Sequence, residues 1–98
     1  MMMNQMEVEI LPWLSRALGK ENKVKLAEIV EKEETLKTLL ERLALSHEGF
    51  GAAIYDAKCG ILRENVVVFI NDRSLQGGLH TNIHAGDRVV IAPIYSGG

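Results

Sequence analysis

The sequence predicts an α+β fold in which one main helix packs on one face of a sheet of four to five strands. Three observations carry this. Alternating or continuous β patterns occupy both ends of the 98-residue chain, a single amphipathic helical pattern lies between them, and no repeat or linker divides them. Strands that flank one covering helix in the chain pack as a sheet with the helix on one side. The length sets one domain, residues 1–98, with a modest core and no room for a large catalytic cleft.

Met6, Val8 and Ile10 alternate with Glu7 and Glu9, the pattern of a half-buried strand. Pro12 ends that strand or places it at an edge. Gly19-Lys20-Glu21-Asn22 reads as a turn, and Val24, Leu26, Glu28 and Val30 as the hairpin partner. The acidic Glu31-Lys32-Glu33-Glu34 run reads as a solvated lead-in to a helix, its charge favourable at a helix N-terminus. Leu36, Leu39, Leu40 and Leu43 form one apolar stripe, with Thr35 as N-cap and Gly49 as C-terminal stop. Residues 50–63 suggest a short helical turn and a loop, with Phe50, Ile54, Ile61 and Leu62 buried and a turn at Lys58-Cys59-Gly60.

Val66 to Ile70 is a β run ended by a turn at Asn71-Asp72-Arg73. Gln76-Gly77-Gly78 is loop, Leu79 and Ile83 anchor a crossing segment, and Gly86-Asp87 turns into a last strand, Arg88 to Ile94. Both late strands are apolar on both faces, yet one helix covers only one face. Val66, Val68, Ile70, Val89 and Ile91 are assigned to the core. Val67, Phe69, Val90 and Ala92 then form an outer patch, for docking to another protein or for a homodimer. The chain beyond it, Pro93, Ile94, Tyr95 and Ser96, is expected to contact the same partner. Tyr95 either sets the exit of the tail or packs back on the domain.

Composition excludes several functions. With 11 basic and 13 acidic residues spread along the chain there is no basic stripe, so no nucleic acid is expected as partner. No apolar run reaches the roughly 18 residues of a membrane span, and the Met1-Met2-Met3-Asn4-Gln5 start lacks signal-peptide character. With a single cysteine, Cys59, the expected location is cytoplasmic. Cys59 has no His or Asp at a catalytic spacing, and its occurrence near a turn reads as incidental. His80 and His84 have the spacing of a helical metal pair but lack an evident third ligand, so no metal is assigned; His47 falls near the end of the helix.

The chain closes on Ser96-Gly97-Gly98. Without side chains, a terminal Gly-Gly can thread a carboxylate into a narrow active site, and four extended residues reach roughly 13 Å. An inert flexible tail, residues 95–98, is the alternative.

The ordered set Val66–Asp72, Gly77-Gly78-Leu79, Gly86-Asp87, Pro93 and Gly97-Gly98 resembles the MoaD/ThiS family of ubiquitin-like sulfur carriers. It is closest to CysO-like members or to small subunits of molybdopterin synthase. The chain departs from the family in two respects. It has Ala92-Pro93 where molybdopterin synthase small subunits often have two prolines, and it keeps residues 46–64, much of which shorter thiamin-pathway members lack.

The resemblance implies a β-grasp fold with a mixed sheet, and a role as a protein-borne sulfur donor rather than an enzyme. Gly98 would be adenylated and converted to a thiocarboxylate by sulfide or persulfide, and Gly97 would supply clearance. The chain has no P-loop, so ATP would be used by the partner and no cofactor bound here. The implied partners are an E1-like adenylating enzyme and a sulfur-accepting synthase, either a molybdopterin synthase large subunit or a cysteine synthase. A lysine could attack the same adenylate, which would make the chain a ubiquitin-like modifier; a non-catalytic binding domain is the third reading.

Overall fold

The computed structural model describes residues 5–31, 33–47, 49–56, 58–75 and 78–94. Strand β1 (Gln5–Ile10) and strand β2 (Val24–Ile29) form the expected antiparallel hairpin, with Val8 opposite Leu26. A 3-10 helix, Ser15–Leu18, occupies their connection and ends at Gly19. Gly19 has φ 77°, a conformation that costs a residue with a Cβ but not glycine. Pro12 does not mark an edge. It lies two residues beyond β1, which is an interior strand.

Helix α1 (Leu36–Ser46) starts at the Thr35 cap. Thr35 Oγ1 accepts from the Thr38 amide at 3.3 Å and Thr38 Oγ1 accepts from the Thr35 amide at 3.1 Å. This reciprocal box pairs donors that no helical carbonyl can reach. Leu36, Leu39, Leu40 and Leu43 are fully buried, as the stripe predicts. The helix stops at His47 rather than Gly49. Gly49, at φ 91°, instead redirects the chain into a one-turn helix, α2 (Phe50–Ala53).

Residues 55–62 are a hairpin rather than a loop: β3 (Tyr55–Asp56) pairs with β4 (Ile61–Leu62) across the Lys58–Gly60 turn. Phe50 and Ile54 are buried as expected, but Ile61 is 56% exposed, because this hairpin is separate from the main sheet. Strand β5 (Val66–Ile70) turns at Asn71 and Asp72, both at positive φ, into a two-residue strand, β6 (Arg73–Ser74). A second 3-10 helix, Gly78–His80, and buried Ile83 carry the chain across to β7 (Arg88–Pro93).

The main sheet has the order β2-β1-β7-β5-β6. It is mixed: β7 runs parallel to β1 and antiparallel to β5. Its inner face carries Met6, Val8, Ile10, Val66, Val68, Val89 and Ile91, all buried against the leucines of α1, so the assignment of faces holds. Ile70 is only half-buried, at the end of β5. No helix among the described residues is long and apolar enough to cross a membrane.

Two acidic side chains are not solvated as the pattern suggests. Glu34 is 5% exposed. It accepts from Arg42 Nη1 at 2.8 Å, from the Glu31 amide at 3.2 Å and from the Thr38 hydroxyl, and so ties the lead-in to the helix. Glu9, on the outer face of β1, is 3% exposed. In both cases long cationic side chains fold over the carboxylate, an arrangement that periodicity does not report.

Candidate functional site

The last described residue, Ile94, is exposed, and its N–H donates to the Asn65 carbonyl at 2.8 Å. Tyr95, Ser96, Gly97 and Gly98 lie outside the described residues. The strand that leads to them, β7, is held on both sides. Val66 pairs with Pro93 at its far end, Ile10 pairs with Ile91, and the Leu11 amide reaches the Ile91 carbonyl at 3.0 Å. A strand paired along both edges fixes where the chain leaves the sheet.

The opposite end of β7 is set by the Asn71, Gly86 and Asp87 of the family pattern. Asn71 Nδ2 donates to Asp87 Oδ1 at 2.9 Å, and Asn71 Oδ1 accepts from the Arg88 amide at 3.0 Å. Asp87 Oδ2 accepts from the His84 amide at 2.7 Å. Gly86 supplies the φ of 87° that the turn needs. These residues lock the register of β7 against β5. They do so at the end of β7 away from Gly98, so their contribution to the tail is one of aim.

The outer sheet face divides into an apolar and a charged half. Val67 lies opposite Ala92 and Phe69 opposite Val90 in the β5–β7 register. Val67, Phe69 and Val90 are half-buried, while Ala92 and Pro93 are buried and offer a partner little surface. Ala92 is small and sits between its partner Val67 and the continuation of β1 at Leu11. The apolar half is therefore centred on Phe69, Val90 and Val67.

The charged half was not legible as a unit. Arg88 Nη2 donates to Glu9 Oε2 at 2.9 Å, and its Nε lies 3.4 Å from Glu7 Oε2. Glu9 Oε1 faces the Lys23 ammonium at 3.3 Å and that of Lys25 at 3.9 Å, without a well-aligned hydrogen bond. Burial pushes the Glu9 carboxyl up, but Lys23 and Arg88 outweigh it and hold the group below the usual carboxylate range. Glu9 stays ionised and fixes the positive side chains around it.

Among the described residues no group of three or more His, Cys, Asp or Glu side chains is placed to hold a metal. His80 ends a 3-10 helix, and exposed His84 lies beyond it, 3.7 Å from Asp87. Cys59 is exposed in the hairpin turn, where Asp56 Oδ1 accepts from the Lys58 and Cys59 amides at 3.0 and 3.3 Å. The Cys59 amide bond leads in keeping the Asp56 carboxyl below its ordinary range. That geometry orders the turn.

Sequence reasoning passed over exposed Trp13, which follows β1 at the end of the sheet where parallel β7 also ends and lines a groove with Asn65. The available signal was a large aromatic residue directly after Pro12, just past the first strand pattern.

No curated protein sequence matches the chain significantly. Among solved structures it is similar to SAMP1 from Haloferax volcanii, with a TM-score of 0.76 at 22% identity over 96% of this chain and 99% of that one. It is similar to CysO from Mycobacterium tuberculosis, with a TM-score of 0.68 at 27% identity over 92% and 99%. A chain of the BexX/CysO complex from Amycolatopsis orientalis gives 0.70 at 25% identity over 95% and 99%. The mixed sheet wrapped on one helix is the ubiquitin-like β-grasp fold. A model of the ThiS family matches residues 8–98, nearly the whole chain and all of its C-terminal segment, and the protein belongs to that family.

Proposed function

We propose that the chain is a sulfur carrier whose working group is the carboxylate of Gly98. The observation that carries this reading is the family match, which runs through Ser96-Gly97-Gly98. The doubly paired β7, which aims the chain at that end, is consistent with it.

A terminal carboxyl has a pKa near ~3.5, so at neutral pH it is a carboxylate and a poor electrophile. An E1-like adenylating partner would bind ATP and let a Gly98 oxygen attack the α-phosphorus, releasing pyrophosphate. The acyl-adenylate carbonyl then accepts hydrosulfide, and AMP leaves with the C–O electron pair. The product is a thiocarboxylate, a nucleophilic sulfur carried on a chain without side chains to obstruct it. In this scheme the chain is the carried reactant, and catalysis belongs to the proteins that receive it. The family resemblance implies a sulfur-accepting synthase, either of the cysteine synthase type or a molybdopterin synthase large subunit.

A second reading has lysine amines attack the same adenylate and form isopeptide bonds. Likeness to a small archaeal modifier protein favours keeping it. Intact mass separates the two. With the adenylating enzyme, ATP and sulfide, the carrier gains about 16 Da as sulfur replaces oxygen. Absence of that gain with every E1-like enzyme of the source genome refutes the carrier reading. Lysine-linked conjugates formed without thiocarboxylate favour the modifier.

A further inference from the structure

Trp13 is 52% exposed although it lies next to Leu14, which fills the core. Its φ is 87°, a region that costs a bulky residue of order 1–3 kcal/mol. The turn that imposes this is closed by the Ser15 amide on the Leu11 carbonyl at 3.1 Å. The fold thus holds a strained backbone at a residue whose indole it does not bury.

The position of Trp13 suggests a use. Leu11 extends the parallel pairing of β1 with β7 through its bond to Ile91, so the two chains leave the sheet side by side. Adjacent strands are about 4.8 Å apart. Trp13 shares a groove of about 240 Å³ with Leu14, Ala53, Glu64 and Asn65, and Asn65 is the residue whose carbonyl receives the Ile94 amide. The groove is below the ~300 Å³ at which small-molecule pockets begin, and suits a single protein side chain.

From this we infer that Trp13 is an anchor for the adenylating enzyme that receives Gly98, gripped at the mouth of that enzyme's active-site channel. This rests on the carrier reading above. The occupant is the adenylating enzyme because, on the carrier reading, every transfer begins with the entry of Gly98 into it. The contact's place follows from length, since the four residues after Ile94 span at most roughly 13 Å. Any protein that takes the Gly98 carboxylate into its interior must therefore bring its surface down on the end of the sheet where Trp13 and Ile94 are exposed. Half-exposed tryptophans at the centre of a contact are frequent hot spots because they bury large apolar area at small entropic cost. Trp13 acts by positioning the carrier and touches no reacting atom.

The test is ATP–pyrophosphate exchange with the E1-like enzyme that activates the wild-type chain, varying the carrier concentration. Trp13→Gly relieves the positive φ while deleting the indole, and is expected to shift the thermal midpoint by less than about 5 °C. Trp13→Asn, tolerant of positive φ, is the second variant. Both are expected to raise the KM for the carrier about tenfold or more with kcat nearly unchanged, and Trp13→Phe to recover most of the loss. An unchanged KM in a folded Gly or Asn variant overturns the inference and leaves the carrier reading standing. Collapse of the thermal midpoint in both variants assigns Trp13 to folding and also overturns it. If no enzyme activates the wild-type chain, the carrier reading fails and the inference fails with it.

Discussion

Replacing Glu34 tests whether an acidic residue in a charged run is a structural tie. Its carboxylate takes three donors: the Arg42 guanidinium, the Glu31 amide and the Thr38 hydroxyl. A hydrogen bond to a charged group contributes about 1.5–3 kcal/mol. Glu34→Ala does not lose three times that, because the donors have alternatives. Arg42 keeps the Ile29 carbonyl at 2.8 Å and Glu28 at 3.6 Å, and Thr38 keeps the Thr35 carbonyl at 2.9 Å. The expected net loss is about 2 kcal/mol, which at ~5 °C per kcal/mol for a domain of this size lowers the thermal midpoint by about 10 °C. Glu34→Gln keeps an oxygen for Arg42 and Glu31 and turns its amide toward Thr38 Oγ1, so about 1 kcal/mol is expected.

Acidification adds an independent readout. Burial raises the Glu34 carboxyl pKa, but bonds from Thr38, Arg42 and Glu31 outweigh it, and the folded value lies below the ordinary 4.5. Its stabilisation is therefore present above pH ~4.5 and lost as pH falls through the folded value. Urea unfolding of wild type and Glu34→Gln at pH 7 and pH 3 should show a gap at pH 7 that shrinks at pH 3. A loss under about 0.5 kcal/mol for Glu34→Ala, or a gap that does not change with pH, refutes the reasoning and returns Glu34 to a solvated surface.

The tail and the outer face make two further predictions. Deleting Gly98, or adding residues after it, should abolish the sulfur-dependent mass gain and leave the thermal midpoint nearly unchanged; a large drop in stability shows that the tail is structural. Phe69→Asp, opposite Val90 on the outer face, should weaken capture by the adenylating enzyme more than it destabilises the domain. A variant that mainly unfolds in urea titration shows that Phe69 serves the core instead.

Periodicity determined much of this molecule. The 3.6-residue stripe Leu36–Leu43 located the helix and its buried face, and Thr35 its start. Alternation in Val66–Ile70 and Arg88–Pro93 sorted their residues into two faces, because alternate side chains of a strand cannot share a side. Both faces are apolar, however, and only packing against α1 shows that Val66, Val68, Val89 and Ile91 are the core. The ordered motifs from Val66 onward carry the resemblance to the family that the chain belongs to.

Tertiary structure alone decided what required residues distant in the chain to meet. Glu9 reads as one polar position in an alternating strand, but Arg88, 79 residues away, closes over it only once β1 and β7 are parallel neighbours. Asn71 and Asp87 read as two separate turns until β5 and β7 pair and bring them within hydrogen-bonding distance. Trp13 reads as an aromatic residue after a proline. Its exposure at the end of the sheet where β7 also ends depends on a positive φ and a parallel pairing that local sequence does not encode. Local patterns are set by each residue's own side chain and its immediate neighbours, whereas these clusters are set by strand order, which only the folded sheet fixes.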